Sequence, residues 1–292
     1  MRKTVRIGTR ESKLAVLQAE LVAAAIRSID HSIEVKLIKI KTTGDIILDK
    51  TLDQIGGKGL FVKELDAALQ SGTVDICVHS YKDMPSDEDP EYPVVAVSPR
   101  EDARDVLILP VGKQTIDPVK PVGCSSKRRR VQFSKIYPEQ AIAPIRGNVI
   151  TRIEKLDRGE FSALTLAAAG IRRLGMWDRC SRVFTIDEIL PSACQGILAI
   201  QGRRGVDYGY LSGYNDTDAL DASKAERAFI RMLGSGCGAP VGVLAQTSGN
   251  ELRLRGMIAN DNGEIRRDEE IGNRKDAVKL GEVLAKRMEG AK

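Results

Sequence analysis

Apolar and polar positions along this chain alternate, cluster and break so that strands and helices are expected in turn. Val5-Arg6-Ile7-Gly8 predicts a short strand ending in a glycine turn. Ser12 then predicts the N-cap of a helix whose apolar positions are Leu14, Leu17, Leu21 and Ala25. Ile33 to Ile40 alternates apolar and charged residues as a half-buried strand does. Thr42 to Gly59 is polar, ends in Gly56-Gly57-Lys58-Gly59 and predicts a flexible loop. A helix is expected over Phe61 to Gln70, closed by Gly72, then a buried strand over Val74 to His79 leading into Lys82-Asp83-Met84-Pro85. Strands alternating with helices in this way specify an α/β domain with a largely parallel sheet.

The same grammar returns from about Asp102 to Leu190. Val106 to Leu109, Ala141 to Ile145 and Ser162 to Ala168 predict strands, with helices after Ser125-Ser126 and over Val149 to Leu156. Past Asn215-Asp216 the pattern changes. An amphipathic helix over Ala219 to Leu233 precedes strands over Val241 to Gln246 and Glu251 to Ile258. A closing helix over Ala277 to Met288 carries Val278, Leu280, Val283, Leu284 and Met288, which completes a small α+β domain. At 292 residues the chain exceeds what one core normally holds, so several domains are expected.

Composition narrows the class. The chain is 42% hydrophobic and 29% charged, which suits packed globular domains, and its 4% aromatic content argues against base-stacking platforms for nucleic acid. Arg2, Lys3, Arg6, Arg10, Glu11 and Lys13 leave no apolar signal-peptide core. The long uncharged stretch from Met232 to Asn250 holds five glycines and a proline, so loop and short strand are expected there rather than a membrane span. Cys77, Cys124, Cys180, Cys194 and Cys237 are odd in number and form no CxxC, which fits a reducing cytoplasm without a disulfide framework. His31 and His79 are too few for a histidine metal site, and His79, ending a buried strand, is expected to be structural.

Charge singles out one region. Ten Lys or Arg against three acids between Lys120 and Arg158 give a local +7, above the whole chain's +5. Three strand ends run through a turn into a helix start carrying arginine: Gly8 to Ser12, Gly123 to Arg129, and Arg146-Gly147-Asn148 with Arg152 beyond. Ligands of α/β sheets bind past the carboxyl ends of strands, where helix N-termini and arginine forks favour anions. The phosphate alternative lacks support, since Gly57-Lys58-Gly59 has no following Ser or Thr and no GxGxxG is present. Asp83 reads either as a turn residue or as an acid available for proton transfer. Cys237, wrapped in Gly234-Ser235-Gly236 and Gly238, reads equally as structural or as accessible for covalent attachment.

At these residues the sequence closely resembles the hydroxymethylbilane synthase (porphobilinogen deaminase) family over nearly its whole length. The matching motifs are Gly8-Thr9-Arg10-Glu11-Ser12, Gly56 to Leu65, Val78 to Pro85, Arg100 to Asp105, Ser125 to Arg129, Arg146 to Val149 with Thr151-Arg152, Gln195-Gly196 and Glu226 to Phe229. The resemblance implies two doubly wound, periplasmic-binding-protein-like α/β domains and a small α+β domain. Its boundaries are residues 1–98 with 197–212, residues 102–190, and a cofactor-carrying piece at 216–292. It also implies a transferase that adds porphobilinogen units head to tail, with loss of ammonia, to a dipyrromethane primer, and then releases linear hydroxymethylbilane by hydrolysis.

Residue by residue, the resemblance makes Cys237 the thioether anchor of the dipyrromethane and Asp83 the catalytic carboxylate. Ser80, Lys82, Ser126, Arg128, Arg129 and Arg146 would bind the cofactor with Asp83. Arg10, Ser12, Lys58, Arg152, Arg173 and Gln195 would bind substrate, Lys58 from a flap. No metal, nucleic acid or membrane is implied, and a cytoplasmic monomer is expected. Cys124, Lys127, Gly238 and Gln54 depart from the family pattern and bear on cofactor seating and cleft lining. Two other classes compete: a non-catalytic two-lobed binder of an acidic ligand, and a nucleic-acid binder using Lys127 to Arg130.

Overall fold

The computed structural model describes residues 4–46, 62–234 and 239–290. The chain divides into two compact units, Met1–Glu101 with Ile197–Leu220, and Asp102–Gly196 with Asp221–Lys292.

The first unit is built on β1 (Thr4–Arg10), β2 (Glu34–Ile40), β3 (Ile76–Ser80), β4 (Val94–Val97) and β10 (Leu198–Gly202) in the order β2-β1-β3-β10-β4. β1 pairs in parallel with β2 and β3, while β10 runs antiparallel to both β3 and β4. Successive side chains of a strand point to opposite faces, so both faces need a cover. Ile76 and Val78 join Val5, Ile7 and Ile200 in a core with Ala19, Val22, Ala23 and Ile26 of helix α1 (Lys13–Ile29). Cys77, between them, faces Leu65 and Leu69 of helix α3 (Lys63–Gln70) on the other side. The short helix α2 (Thr43–Ile46) follows β2.

Ser12 does cap α1, its Oγ accepting from Ala15 N at 3.3 Å. The buried face of that helix differs from the leucine stripe, however. Ala15, Gln18, Ala19, Val22, Ala23 and Ile26 are buried, whereas Leu21 is half exposed. Small alanines let the helix axis approach the sheet, and the larger leucines sit on its flanks.

The second unit repeats the plan. β5 (Asp105–Ile108), β6 (Val122–Gly123), β7 (Ile142–Ala143), β8 (Ala163–Ala167) and β9 (Arg182–Val183) lie in the order β7-β6-β8-β5-β9. Here β6 is parallel to β7 and β8, and β5 is antiparallel to β8 and β9. Helix α4 (Lys127–Ile136) covers one face through Phe133. Helices α5 (Val149–Asp157) and α6 (Ala168–Arg173) cover the other through Ile153, Leu156 and Ile171. Both sheets are therefore doubly wound, as the resemblance implies.

The remainder of this unit is a three-stranded antiparallel sheet of β11 (Val241–Ser248), β12 (Glu251–Ala259) and β13 (Ile265–Asn273). It packs against α7 (Thr217–Met232) and α8 (Ala277–Glu289) through Phe229, Leu252, Leu254, Leu280, Leu284 and Met288. Val278 and Val283, expected on the apolar face of α8, are 42% and 38% exposed, and Gly281 and Ala285 are buried in their stead.

Candidate functional site

Most of the described candidate side chains lie where a strand ends or the next helix starts. In the first unit, β1 ends at Arg10, which forms a two-point ion pair with Asp45, one contact being Nε to Oδ2 at 3.2 Å. Thr42 Oγ1 donates to the same carboxylate at 2.6 Å. Burial alone would raise the Asp45 carboxyl, but the hydrogen bonds from Arg10 and Thr42 outweigh it and hold it below the usual range.

Ser80 closes β3 in a mutual pair with Gln18 of α1: Gln18 Nε2 donates to Ser80 Oγ at 2.9 Å, and Ser80 Oγ lies 3.2 Å from Gln18 Oε1. A single 3-10 turn, Tyr81–Asp83, follows. It is fixed at both ends, with Tyr81 N donating to Ile197 O at 3.0 Å and Met84 N to Tyr81 O at 3.1 Å. Tyr81 is buried, Lys82 half-buried and Asp83 exposed. A rigid turn thus presents one accessible carboxylate beside a lysine. His79, two residues before Tyr81, is buried with Nε2 3.0 Å from Gln201 Oε1, and burial lowers its pKa to about 4. It is neutral and structural, as its position on the strand suggests.

The second unit holds the densest charge cluster. Asp105, fully buried at the start of β5, accepts from Arg128 Nη1 at 2.7 Å and from Arg129 Nε and Nη2 at 2.9 and 2.8 Å. Gln195 Nε2 adds a bond to Asp105 Oδ1 at 2.9 Å, and its Oε1 accepts from Arg129 Nη2 at 3.3 Å. Burial would push the Asp105 carboxyl up, but the charges of Arg128 and Arg129 and the hydrogen bonds more than offset it, bringing it down to about 2. Two guanidinium groups facing one carboxylate leave this centre with one excess positive charge. Arg128 Nε is buried and has no acceptor among the described residues.

Ser126 caps α4, its Oγ accepting from Arg129 N at 3.4 Å, so the arginines sit on the first turn of a helix at its positive end. The sequence leads one to expect Arg128, Arg129 and Gln195 to meet ligands with their side chains. The structure has them 3%, 8% and 0% exposed and turned onto Asp105, the carboxylate that makes their burial tolerable. At the third turn, Arg152 reaches back to the residue that follows Arg146. Asn148 caps α5, Gly147 takes a left-handed conformation, and Arg152 Nε donates to Gly147 O at 2.8 Å. Arg173, ending α6, donates through Nη2 to Gly196 O at 2.6 Å, next to Gln195.

Lys58 and Cys237 lie outside the described residues. Asp105 was legible only as part of a motif, and Gln18 and Asp45 carry no sequence signal of their own, since each acts through a partner distant in the chain. Among the described residues no group of His, Cys, Asp or Glu is arranged to hold a metal ion, and no helix is long and apolar enough to cross a membrane.

Residues 5–208 match the family model described as porphobilinogen deaminase, dipyromethane cofactor binding domain, and residues 220–290 match the porphobilinogen deaminase C-terminal domain. The chain is 53% identical over 286 residues to the porphobilinogen deaminase of Alkaliphilus oremlandii, covering 98% of this chain and 97% of that one. It is also 53% identical over 284 residues to the porphobilinogen deaminase of Acetivibrio thermocellus, covering 97% of each. Among solved structures, the periplasmic aliphatic sulphonate binding protein SsuA of Escherichia coli superposes with a TM-score of 0.40 at 11% identity, over 79% of this chain and 70% of that one. With two family domains spanning nearly its whole length, the chain belongs to the porphobilinogen deaminase family, the hydroxymethylbilane synthases.

Proposed function

We propose that this chain condenses porphobilinogen head to tail, with loss of ammonia, on a dipyrromethane joined to Cys237 by a thioether, and releases linear hydroxymethylbilane by hydrolysis. The observation that carries the reading is the buried Arg128–Asp105–Arg129 centre, whose excess positive charge and unpaired Arg128 Nε suit carboxylates. Pyrroles bearing acetate and propionate arms are polyanions, and a cofactor of this kind fits such a centre. When bound, dipyrromethane supplies a tethered primer to which each new unit is added.

The protein's own residues divide the remaining work. Arg128, Arg129 and Arg146, with the Ser126-capped helix start, hold primer carboxylates, while Gln195 and Asp105 keep the two buried guanidiniums in place. Ser80 and Lys82 add a hydrogen bond and a charge. Asp83, accessible on its fixed turn, accepts pyrrole N–H groups, stabilises positive charge as ammonia departs and moves the proton that re-aromatisation releases. Arg10, Ser12, Lys58, Arg152 and Arg173 bind the carboxylates of incoming substrate, Arg10 by exchanging Asp45 for one of them. The domains of this reading are residues 1–98 with 197–212, 102–190 and 216–292. A cytoplasmic monomer is part of it, in keeping with the free thiols of Cys77, Cys124, Cys180 and Cys194.

Intact mass spectrometry tests the assignment. Protein made with porphobilinogen available carries a mass excess of two linked pyrroles, and Cys237→Ser abolishes it. Asp83→Ala retains the excess but loses nearly all turnover. An unmodified wild-type chain, or full activity in Asp83→Ala, would overturn the reading.

A further inference from the structure

Gln132 lies on α4 one turn beyond Arg128 and is fully buried, an unusual place for a carboxamide. Its four polar contacts fix the amide in one orientation. Oε1 accepts from Leu190 N at 2.8 Å and from Arg267 Nη2 at 2.8 Å, both obligate donors. Nε2 donates to Leu190 O and to Arg128 O, each at 3.2 Å, both obligate acceptors. A flipped amide would face donors with its nitrogen and carbonyls with its oxygen. Leu190 O in turn accepts from Arg128 Nη1 at 2.7 Å, the same nitrogen that reaches Asp105. Arg267, on β13, also donates to Asp187 O and to Glu188 O, so it grips the segment that ends in Leu190. Arg267 itself is exposed.

An unbroken line of hydrogen bonds therefore runs from the three-stranded sheet, through one buried amide and one backbone carbonyl, to the Arg128 guanidinium. We propose that Gln132 and Arg267 are positioning residues that set Arg128 for carboxylate binding. The piece of chain carrying Cys237 thereby also orients the guanidinium that holds the cofactor's carboxylates. The inference rests on the functional reading above. Asp105 and Leu190 O share one nitrogen of the Arg128 fork, Nη1, and together fix its direction. Without Arg267, Gln132 loses one of the two donors to its oxygen, Leu190 O gains freedom, and Asp105 is left as the firmer of the two acceptors on Arg128 Nη1.

The test uses the full chain, prepared without cofactor in cells unable to make porphobilinogen, and the variants Arg267→Met, Arg128→Lys and the pair combined. Two readouts are followed. Uptake of the two-pyrrole mass on adding porphobilinogen should slow about fivefold in Arg267→Met, the loss expected for one hydrogen bond of roughly 1 kcal/mol. Adding Arg267→Met to Arg128→Lys should slow it no further, because both changes act on one guanidinium. Hydrogen exchange at Arg128 Nε–H, assigned by its disappearance in Arg128→Lys, should quicken about fivefold in Arg267→Met by the same arithmetic, with or without porphobilinogen. Unchanged Nε–H exchange, or uptake effects that multiply in the double variant, would overturn the positioning role. Wild-type chain that never gains mass sinks the functional reading separately, and the exchange measurement then decides the positioning role by itself. Gln132→Glu guards against a folding artefact of Arg267→Met. It keeps both acceptor contacts of Oε1 while turning a carboxylate oxygen onto the Leu190 and Arg128 carbonyls, and it should quicken Nε–H exchange as well.

Discussion

Replacing Asp105 by asparagine keeps the shape of the side chain and removes the charge that makes two buried arginines tolerable. Asp105 is completely inaccessible and receives Arg128, Arg129 through two nitrogens, and Gln195. An asparagine oxygen can still accept from one arginine, but its NH2 group faces guanidinium donors on the other side. Breaking a buried ion pair by removing one partner costs about 3–5 kcal/mol, since the stranded charge remains in a poorly solvating interior. A unit of this size loses roughly 2–4 °C of Tm per kcal/mol, so a fall of about 6–20 °C is expected. Differential scanning calorimetry near pH 7 on wild type and Asp105→Asn measures it directly. The acid limb gives an internal check. With its carboxyl lowered to about 2, Asp105 stabilises the fold fully above the ordinary carboxylate range and loses that contribution only as pH falls through about 2. In the variant this part of the acid profile should be missing. An Asp105→Asn protein with wild-type Tm and wild-type acid response would refute the claim that this carboxylate compensates the arginines.

Glu226→Ala should destabilise the protein by about 2–5 kcal/mol, read as a lowered denaturation midpoint, because it strands two backbone donors. Those are Cys194 N, 2.5 Å from Oε2, and Ala245 N, 2.7 Å from Oε1, both buried with the carboxylate. Gly281→Ala should cost about 1–3 kcal/mol by the same measurement, since its new methyl would press into Ala225 O and the Phe229 backbone where α8 crosses α7. His79→Gln should flatten the pH dependence of Tm between about 6.5 and 4. In the wild type burial holds His79 neutral down to about 4, so only the unfolded chain takes up the proton in that window and stability falls as pH falls, by up to about 1.4 kcal/mol per unit.

The hydrophobic pattern revealed the strands that bury both faces and the helices with side-chain caps, because both carry local signals. β3 reads directly from Val74 to His79, and Ser12, Ser126 and Asn148 each cap the helix that follows. β13 was not legible, since Arg266, Asp268 and Glu270 look like loop until Arg287 of α8 is seen pairing with Asp268 and Glu270. β10 carried no local signal of its own, because it is inserted antiparallel between β3 and β4 from more than a hundred residues away, and only the resemblance joined residues 197–212 to 1–98. In the candidate site, the arginine at each strand–turn–helix junction was legible by its position. Which way Arg128 and Arg129 face was not, because that depends on Asp105 at the start of β5, a distant partner legible only as the end of the Arg100 to Asp105 motif. The leucines of α1 show the same limit: period identifies a helix, but contact distance to the sheet selects which face is buried.

The ratio of charges at Asp105 carries a consequence for ligand binding. One aspartate against two arginines leaves the folded, ligand-free centre with a net positive charge in surroundings that solvate it poorly. A second acid would have neutralised that charge and removed the attraction for a carboxylate. The absence of any acid would have left two stranded guanidiniums and no stable fold. The arrangement present in the chain lies between these, stable enough to fold yet improved by an added anion. Coulomb interaction over several ångströms in a low-dielectric setting lets a carboxylate just outside the buried pair supply the missing charge. Since such a ligand stabilises only the folded chain, its binding must raise the denaturation temperature in proportion to the logarithm of its concentration over Kd. The cofactor-loaded chain, its anion tethered and never diluted, should therefore melt higher than the same chain made without cofactor, and Asp105 determines how large that difference can be.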